Sequence, residues 1–285
     1  NRNEILLLRG NYMKENKERT IKVLRIIGAI LISSFLYFEL IRFTGEKLVE
    51  KGYTFDFGFI FREPQYFNMM IQGYKNTIII SFFSLILSVI LGLIIAIMKK
   101  SKSYTLKFLA TSFSEIIIGT PLLVQIIIFY YFVGTAFRLG DFHIGSFKVD
   151  SSYTIGTLIL SIFYGAFVAE IFRAGIESID KQQWESAESL GFTKLQQYRY
   201  LIIPQLIKPM LPPLAGQFAL VVKGSALLSV IAIAEFTKKI QEIDSMTFKT
   251  AEVYIYLAIG YLIITIPISL ITKYFENKFE IQGDE

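Results

Sequence analysis

A lysine stands where a lysine is expensive. Lys223 interrupts the run Pro209–Ala234, which otherwise carries no charge. Near the centre of a membrane-spanning helix it costs about 2.5–3.5 kcal/mol on insertion scales, so it is expected to face a bundle interior or a wet cavity. It could meet a substrate carboxylate, shape a gate, or pair with a structural carbonyl or acid, and its position alone leaves these open. Gln125 and Thr120 flank Pro121 in another apolar run. A proline frees a backbone carbonyl that nearby polar groups or water can take up, so pocket lining and kink support are both open there. Other chemistries lack their parts. There are no cysteines, which excludes disulfides, thiolate metal sites and Cys nucleophiles. The one histidine, His143, is expected in an outer loop, with no second imidazole to build a zinc site or a triad.

The elements that must position these residues are membrane helices. Of 285 residues, 53% are hydrophobic, 15% aromatic and 19% charged, with a mean hydropathy of +0.50. A soluble domain carries about 25% charge, and a soluble enzyme or a nucleic-acid module does not fit. The apolar residues gather in runs close to the roughly twenty needed to cross a bilayer core. Five are plain: Thr77–Met98, Ile116–Phe137, Ser151–Ala169, Pro209–Ala234 and Val253–Thr272. A sixth, Ile26–Phe43, has Glu39 and Arg42 near its end. None alternates in the manner of barrel strands. The expectation is an all-α integral membrane protein with six transmembrane helices.

Lysine and arginine give the orientation. With the N-terminus inside, inner segments hold eighteen of them and outer loops ten, with Lys223 in a span. This favours N-in, C-in. The net charge of +5 and pI near 9.1 then report topology and anionic lipid, not nucleic acid. Residues 1–25 form a basic cytoplasmic segment, and Met13-Lys14-Glu15 reads as a natural start, so residues 1–12 are expected to be an extension. The stretch 26–43 lacks a small-residue cleavage site and is expected to stay as an anchor helix.

Between the fourth and fifth spans lies a polar helical stretch, Ile176–Lys208. A first helix is expected over Ile179–Leu190, with Trp184, Ala187 and Leu190 on one face. Gly191 stands where a helix end needs a left-handed residue. Thr193 and Gln196 have the spacing of a capping box, and a second helix with Leu195, Tyr198 and Ile202 on one side is expected to close at Pro204. Such a compact pair is a docking knob for a soluble partner.

Glu185-Ser-Ala187, Gly191 and Leu201-Ile-Ile203-Pro204 together closely resemble the EAA loop of ABC importer permeases, with every interval kept. Four flanking segments resemble the polar amino acid branch of that family: Gly73–Thr77, Gly119–Gln125, Ala169–Arg173 and Lys223–Leu227. The resemblance covers about residues 67–275. It implies a five-helix type I importer core, with the helix at 26–43 as an addition. It implies that Glu185, Ala187, Leu190 and Gly191 dock on an ABC ATPase dimer, which binds the ATP and Mg. It also implies a second permease copy or paralogue, an external solute-binding protein and an amino acid substrate, in a bacterial plasma membrane. Gln125, Gln217, Lys223, Gly224 and Ser225 are the implied substrate or gating positions. After the lysine, the family commonly has an acidic or amide residue, and this chain has Gly224. With Gln217 also neutral, the departure favours an amino acid with a neutral side chain, since a guanidinium would need a carboxylate.

Smaller signals have plainer readings. Glu170 and Arg173 at i, i+3 suggest a salt bridge. Thr157, Ser161, Gly165 and Ala169 recur every four residues and suggest close helix packing. Glu115 suggests an interface. The chain lacks the Gly-x-x-x-x-Gly-Lys-Ser/Thr phosphate loop, so it is not expected to hydrolyse ATP. A secondary transporter would show repeated halves, and a membrane enzyme would need paired carboxylates or a nucleophile with its base; neither pattern is present.

Overall fold

The computed structural model describes residues 32, 35, 36, 38–134, 136, 142–144, 147–149 and 151–280, without the side chains of 142–149 and 277–280. The chain divides into two units, Asn1–Asp56 and Phe57–Glu285. In the first, residues 38–50 form a helix, α1. Arg42 donates to Glu39 and Lys47 to Glu50, each at 2.7 Å, so the two charges that break the first apolar run neutralise each other. Most of the span expected at 26–43, and all of residues 1–25, lie outside the described residues.

The second unit begins with α2, Phe59–Arg62, and α3, Pro64–Lys99. Proline suits the first turn of α3, where its missing N–H has no partner to lose. At 1.5 Å per residue α3 is about 54 Å long, so it outruns a hydrocarbon core of about 30 Å. The next run breaks. α4, Tyr104–Gly119, and α5, Leu122–Ile128, extended by one π-helical turn, Phe129–Gly134, meet at 106°. Ile116–Phe137 is therefore not one straight span: Pro121 puts Thr120 in extended backbone and stops α4. A short hairpin follows, β1 Phe142–Ile144 antiparallel to β2 Phe147–Val149, with His143 opposite Lys148. It is a small exception to the all-helical expectation.

α6 spans Ser151–Glu177, and α7, Lys181–Ser189, is shorter at its start than expected. Then come α8, Lys194–Gln196, a π turn Gln197–Ile202, and α9, Ile203–Ser225, continued by a 3-10 turn, Ala226–Ile231. Pro204 does not close the second loop helix. The amide of Ile203 reaches back to the Tyr198 carbonyl, and this widened turn accommodates the ring and missing donor of Pro204. Lys194–Ile231 thus runs on for 38 residues. α10, Phe236–Thr247, and α11, Thr250–Glu280, complete the chain.

Among the described residues, four helices can cross a membrane, or five if the bent pair is one span. Their centre is α3 against α6. Thr77, Ser81, Ser84, Ser88 and Gly92 line the buried face of α3, and Ser84, Ser88 and Gly92 meet the Thr157, Ser161, Gly165, Ala169 stripe of α6. Ser84 donates to the Thr157 carbonyl at 3.2 Å, and Ser88 to that of Ser161 at 3.3 Å. A Cβ on Gly92 would come within 2.6 Å of Val168. Lipid is as apolar as leucine, so close backbone approach and interhelical hydrogen bonds hold such a pair.

Candidate functional site

The loop between α6 and α9 is built from the caps expected of it. Asp180 accepts from the Gln182 amide at 3.0 Å and starts α7. At its end Gly191 takes φ +78°, its amide reaching the Glu188 carbonyl at 2.9 Å and that of Phe192 the Ala187 carbonyl at 3.1 Å. These are the two bonds of a Schellman motif. Both halves of the Thr193–Gln196 capping box are present. Inside, Trp184 meets Tyr198 edge to face at 5.4 Å, and Ile179, Ile202, Leu206 and Met210 complete a small core.

Two side chains depart from the expected faces. Ala187 is buried with Trp184, but Leu190 follows the last turn of α7 and is 76% exposed. Leu195, 78% exposed, points away from Tyr198 and Ile202. Tyr200 is exposed as well, and Glu185 lines one shallow surface depression with Leu190. Polar groups are spent on the loop's own backbone while apolar ones face outward. That arrangement suits a partner.

The intramembrane residues do not converge. Lys223 is exposed on α9, and no ion pair holds it among the described residues. Gln217 and Gly224 lie seven residues apart on one buried face, while Lys223 is about 100° round the helix. Gly224 is a packing residue here: a Cβ would collide with the hydroxyl of Tyr164, which donates to the Leu220 carbonyl at 2.8 Å. Gln217 is buried, and its Oε1 has no partner among the described residues. Ser225 is buried and donates to the Val222 carbonyl at 2.8 Å.

Gln125 supports the break between α4 and α5. Its Nε2 lies 2.8 Å from the Ile117 carbonyl and 2.6 Å from Thr120 Oγ1, and Thr120 donates to the Ile116 carbonyl at 2.8 Å. Both side chains thus satisfy carbonyls that the end of α4 leaves open.

At the loop end of α3 and α6 the expected Glu170–Arg173 bridge is part of a larger network. Arg173 contacts Glu170 at 2.7 Å and also Glu177, Lys100 contacts Glu177 at 2.7 Å, and the buried Lys99 holds Glu170. Glu115 and Lys107 line a polar cavity of about 390 Å³ over this network.

Sequence reasoning passed over the far end of the spans. Gly73–Thr77 forms a socket for the start of α10. A Cβ on Gly73 would lie 2.8 Å from Lys239 Cβ and 3.0 Å from the Glu235 carbonyl. Asn76 donates to the Ala234 carbonyl at 2.7 Å and to Tyr153 at 2.8 Å, and Thr77 accepts from the Phe236 amide at 3.0 Å. Behind it Glu235 is fully buried. In the sequence it is simply the first charge after the run Pro209–Ala234, with no local pattern to mark it as buried.

Comparison with known proteins agrees with this architecture. Residues 57–281 match the model of a family described as binding-protein-dependent transport system inner membrane component. The chain belongs to that family. It is 36% identical over 214 residues to a probable glutamine ABC transporter permease protein, GlnM, of Bacillus subtilis, covering 75% of this chain and 94% of that protein. The glutamine transport system permease protein GlnP of Escherichia coli K12 is 33% identical over 213 residues, with the same coverage. Among solved structures, a chain of an amino acid ABC transporter crystallised with histidines shares 37% identity, with a TM-score of 0.67, over 79% of this chain and 100% of its own. A chain of the MetNI methionine ABC transporter, at 14% identity and a TM-score of 0.57 over 73% and 96%, shows the shared fold. The resemblance drawn from the loop and its flanking segments is borne out. This family member is a multi-pass membrane permease, with the five-helix core accounted for by the four long helices and the broken pair.

Proposed function

We propose that this permease is the membrane subunit of an ATP-driven importer of amino acids with neutral side chains, glutamine foremost. A solute-binding protein delivers the cargo outside. Two such permeases, identical or paralogous, sit on a dimeric ABC ATPase that binds ATP and Mg²⁺ and does the hydrolysis. The excess of basic residues on inner segments supports an N-in, C-in placement in a bacterial plasma membrane.

One observation carries the coupling. The docking loop is joined without interruption to the span that bears Lys223, because Lys194–Ile231 is a single helical run. A push on the exposed Leu190, Leu195 and Glu185 is delivered along that run to the middle of the membrane. Glu185, Leu190 and Gly191 are the docking residues in this reading, and Ala187 supports them from within.

The substrate class follows from charge. Among the described residues no carboxylate pairs with Lys223, and Gly224 offers none. A cationic side chain within about 4 Å of Lys223 would cost roughly 4 kcal/mol at an effective dielectric near 20, close to a thousandfold in affinity. The α-carboxylate of a zwitterion would gain instead. The relatives described as glutamine permeases support the same class. Gln125, Gln217 and Ser225 then act by shaping the helices around the path. The test is competition for uptake by the complete complex, with glutamine and an aliphatic amino acid set against arginine and lysine. Glutamine should compete at least a hundredfold better than arginine. Arginine as the best competitor would show that Lys223 does not face the cargo unpaired.

A further inference from the structure

The socket at the far end closes on one carboxylate. Glu235 Oε2 accepts from the Thr237 amide at 2.9 Å and Oε1 from the Lys238 amide at 2.7 Å, which caps α10. Oε2 also lies 3.2 Å from Tyr261 Oη on α11 and 3.4 Å from Thr77 Oγ1 on α3. Tyr261 Oη is in turn 2.9 Å from Thr237 Oγ1. The arrangement ties three elements to one group. A neutral Ser, Thr or Asn would cap a helix as well, without the cost of burying a charge. The position of the knot adds to this. Thr77 is 22 residues from Lys99 along α3, about 33 Å, so the knot sits at the opposite membrane face from the docking loop.

We propose that Glu235 is a positioning residue for import: it seats α10 against α3 and α11, and its protonation state sets how firmly that end of the permease is closed. The neighbouring titratable groups are Tyr74 and Lys75 on α3, Tyr153 on α6, Lys238, Lys239 and Glu242 on α10, and Glu252 and Tyr261 on α11. Lys239 is engaged by Glu242 at 2.7 Å, and Tyr261 is the group that reaches the carboxylate. Burial pushes the Glu235 carboxyl up to about 7, against the pull of the Thr237 and Lys238 amides and Tyr261. A carboxyl raised in the folded state stabilises the seat below its ordinary pKa, and that stability is lost as pH rises through about 7. The seat is therefore tight when Glu235 is protonated and loosens when it ionises.

The transport arm of this proposal rests on the importer reading, and the structural arm does not. The experiment uses the complete permease–ATPase complex in lipid nanodiscs and liposomes. Hydrogen exchange at the amides of residues 236–240, corrected for the intrinsic rate, is measured at pH 6 and 8, alongside uptake of glutamine from pH 5.5 to 8.5. Wild-type protection should fall about fivefold or more between pH 6 and 8, and uptake should show an inflection near 7. Glu235→Gln keeps an acceptor for the Lys238 amide and should lose both dependences. Tyr261→Phe removes a donor to the carboxylate, so its inflection should move to higher pH. A Glu235→Gln complex that keeps the wild-type pH dependence of protection would overturn the proposal. A complex that imports nothing while protection still follows pH would instead count against the importer reading alone.

Discussion

The two ends of this permease solve opposite problems with the same kinds of residue. At the loop end, polar groups are turned inward to cap α7 and α8, and Leu190 and Leu195 are left exposed. At the far end a charged group, Glu235, is turned inward, and the ring of Phe236 is buried beside it. The first end is closed by its own caps and leaves apolar side chains uncovered. The second is complete, but its closure depends on a group whose charge is costly to bury. The contrast teaches that exposure of apolar groups and burial of a charge are both costs to the isolated chain, and the two ends carry them in opposite ways.

Three substitutions can break or sharpen this comparison. The largest effect is expected at Gly191, which is free of neighbours within 4 Å, so its constraint is backbone alone. Gly191→Val forces a β-branched residue into the left-handed region, at about 1–2 kcal/mol before branching is counted. Uptake and substrate-stimulated ATP hydrolysis should fall at least about tenfold, with unchanged amounts of permease in the membrane. Normal activity would mean that the loop need not be rigid to be pushed.

Gly73→Leu attacks the other end, where backbone and Lys239 stand in the way of any side chain. Overpacking there should cost about 1–3 kcal/mol. The complex should melt several degrees lower, and amides 236–240 should exchange faster, while ATPase co-purification is retained. Loss of the ATPase instead would show that the two ends are not separable. The smallest effect is expected for Thr193→Ala, which removes a cap worth about 1 kcal/mol from an exposed helix start. Uptake should drop two- to threefold and recover with Thr193→Ser. No recovery would assign Thr193 to partner contact.

The loop was legible because its information is local. Asp180, Gly191, Thr193 and Gln196 act within a few residues of themselves, and spacing alone predicts such bonds. The small-residue stripe on α6 was legible for the same reason, but its counterpart on α3 needs the partner helix to give it meaning. The surroundings of Lys223 were not legible, because adjacency in sequence is not adjacency on a helix. Gly224 follows Lys223 and faces Tyr164 on another side.

By itself the sequence determined that this chain crosses a membrane several times, that a capped helical loop interrupts the spans, and that one lysine lies within them. Lipid cannot satisfy an open backbone, so run length and charge suffice for such statements. Tertiary structure decided the rest. It broke α4 from α5 at Thr120-Pro121, carried the loop helix through Pro204 into the fifth span, and gathered Thr77, Glu235 and Tyr261 from three separate elements. The knot joins atoms 26 to 159 residues apart in the chain, which no local pattern announces; the break and the passage through Pro204 turn on nearer contacts, 4 to 8 residues apart, whose outcome the prolines alone do not dictate.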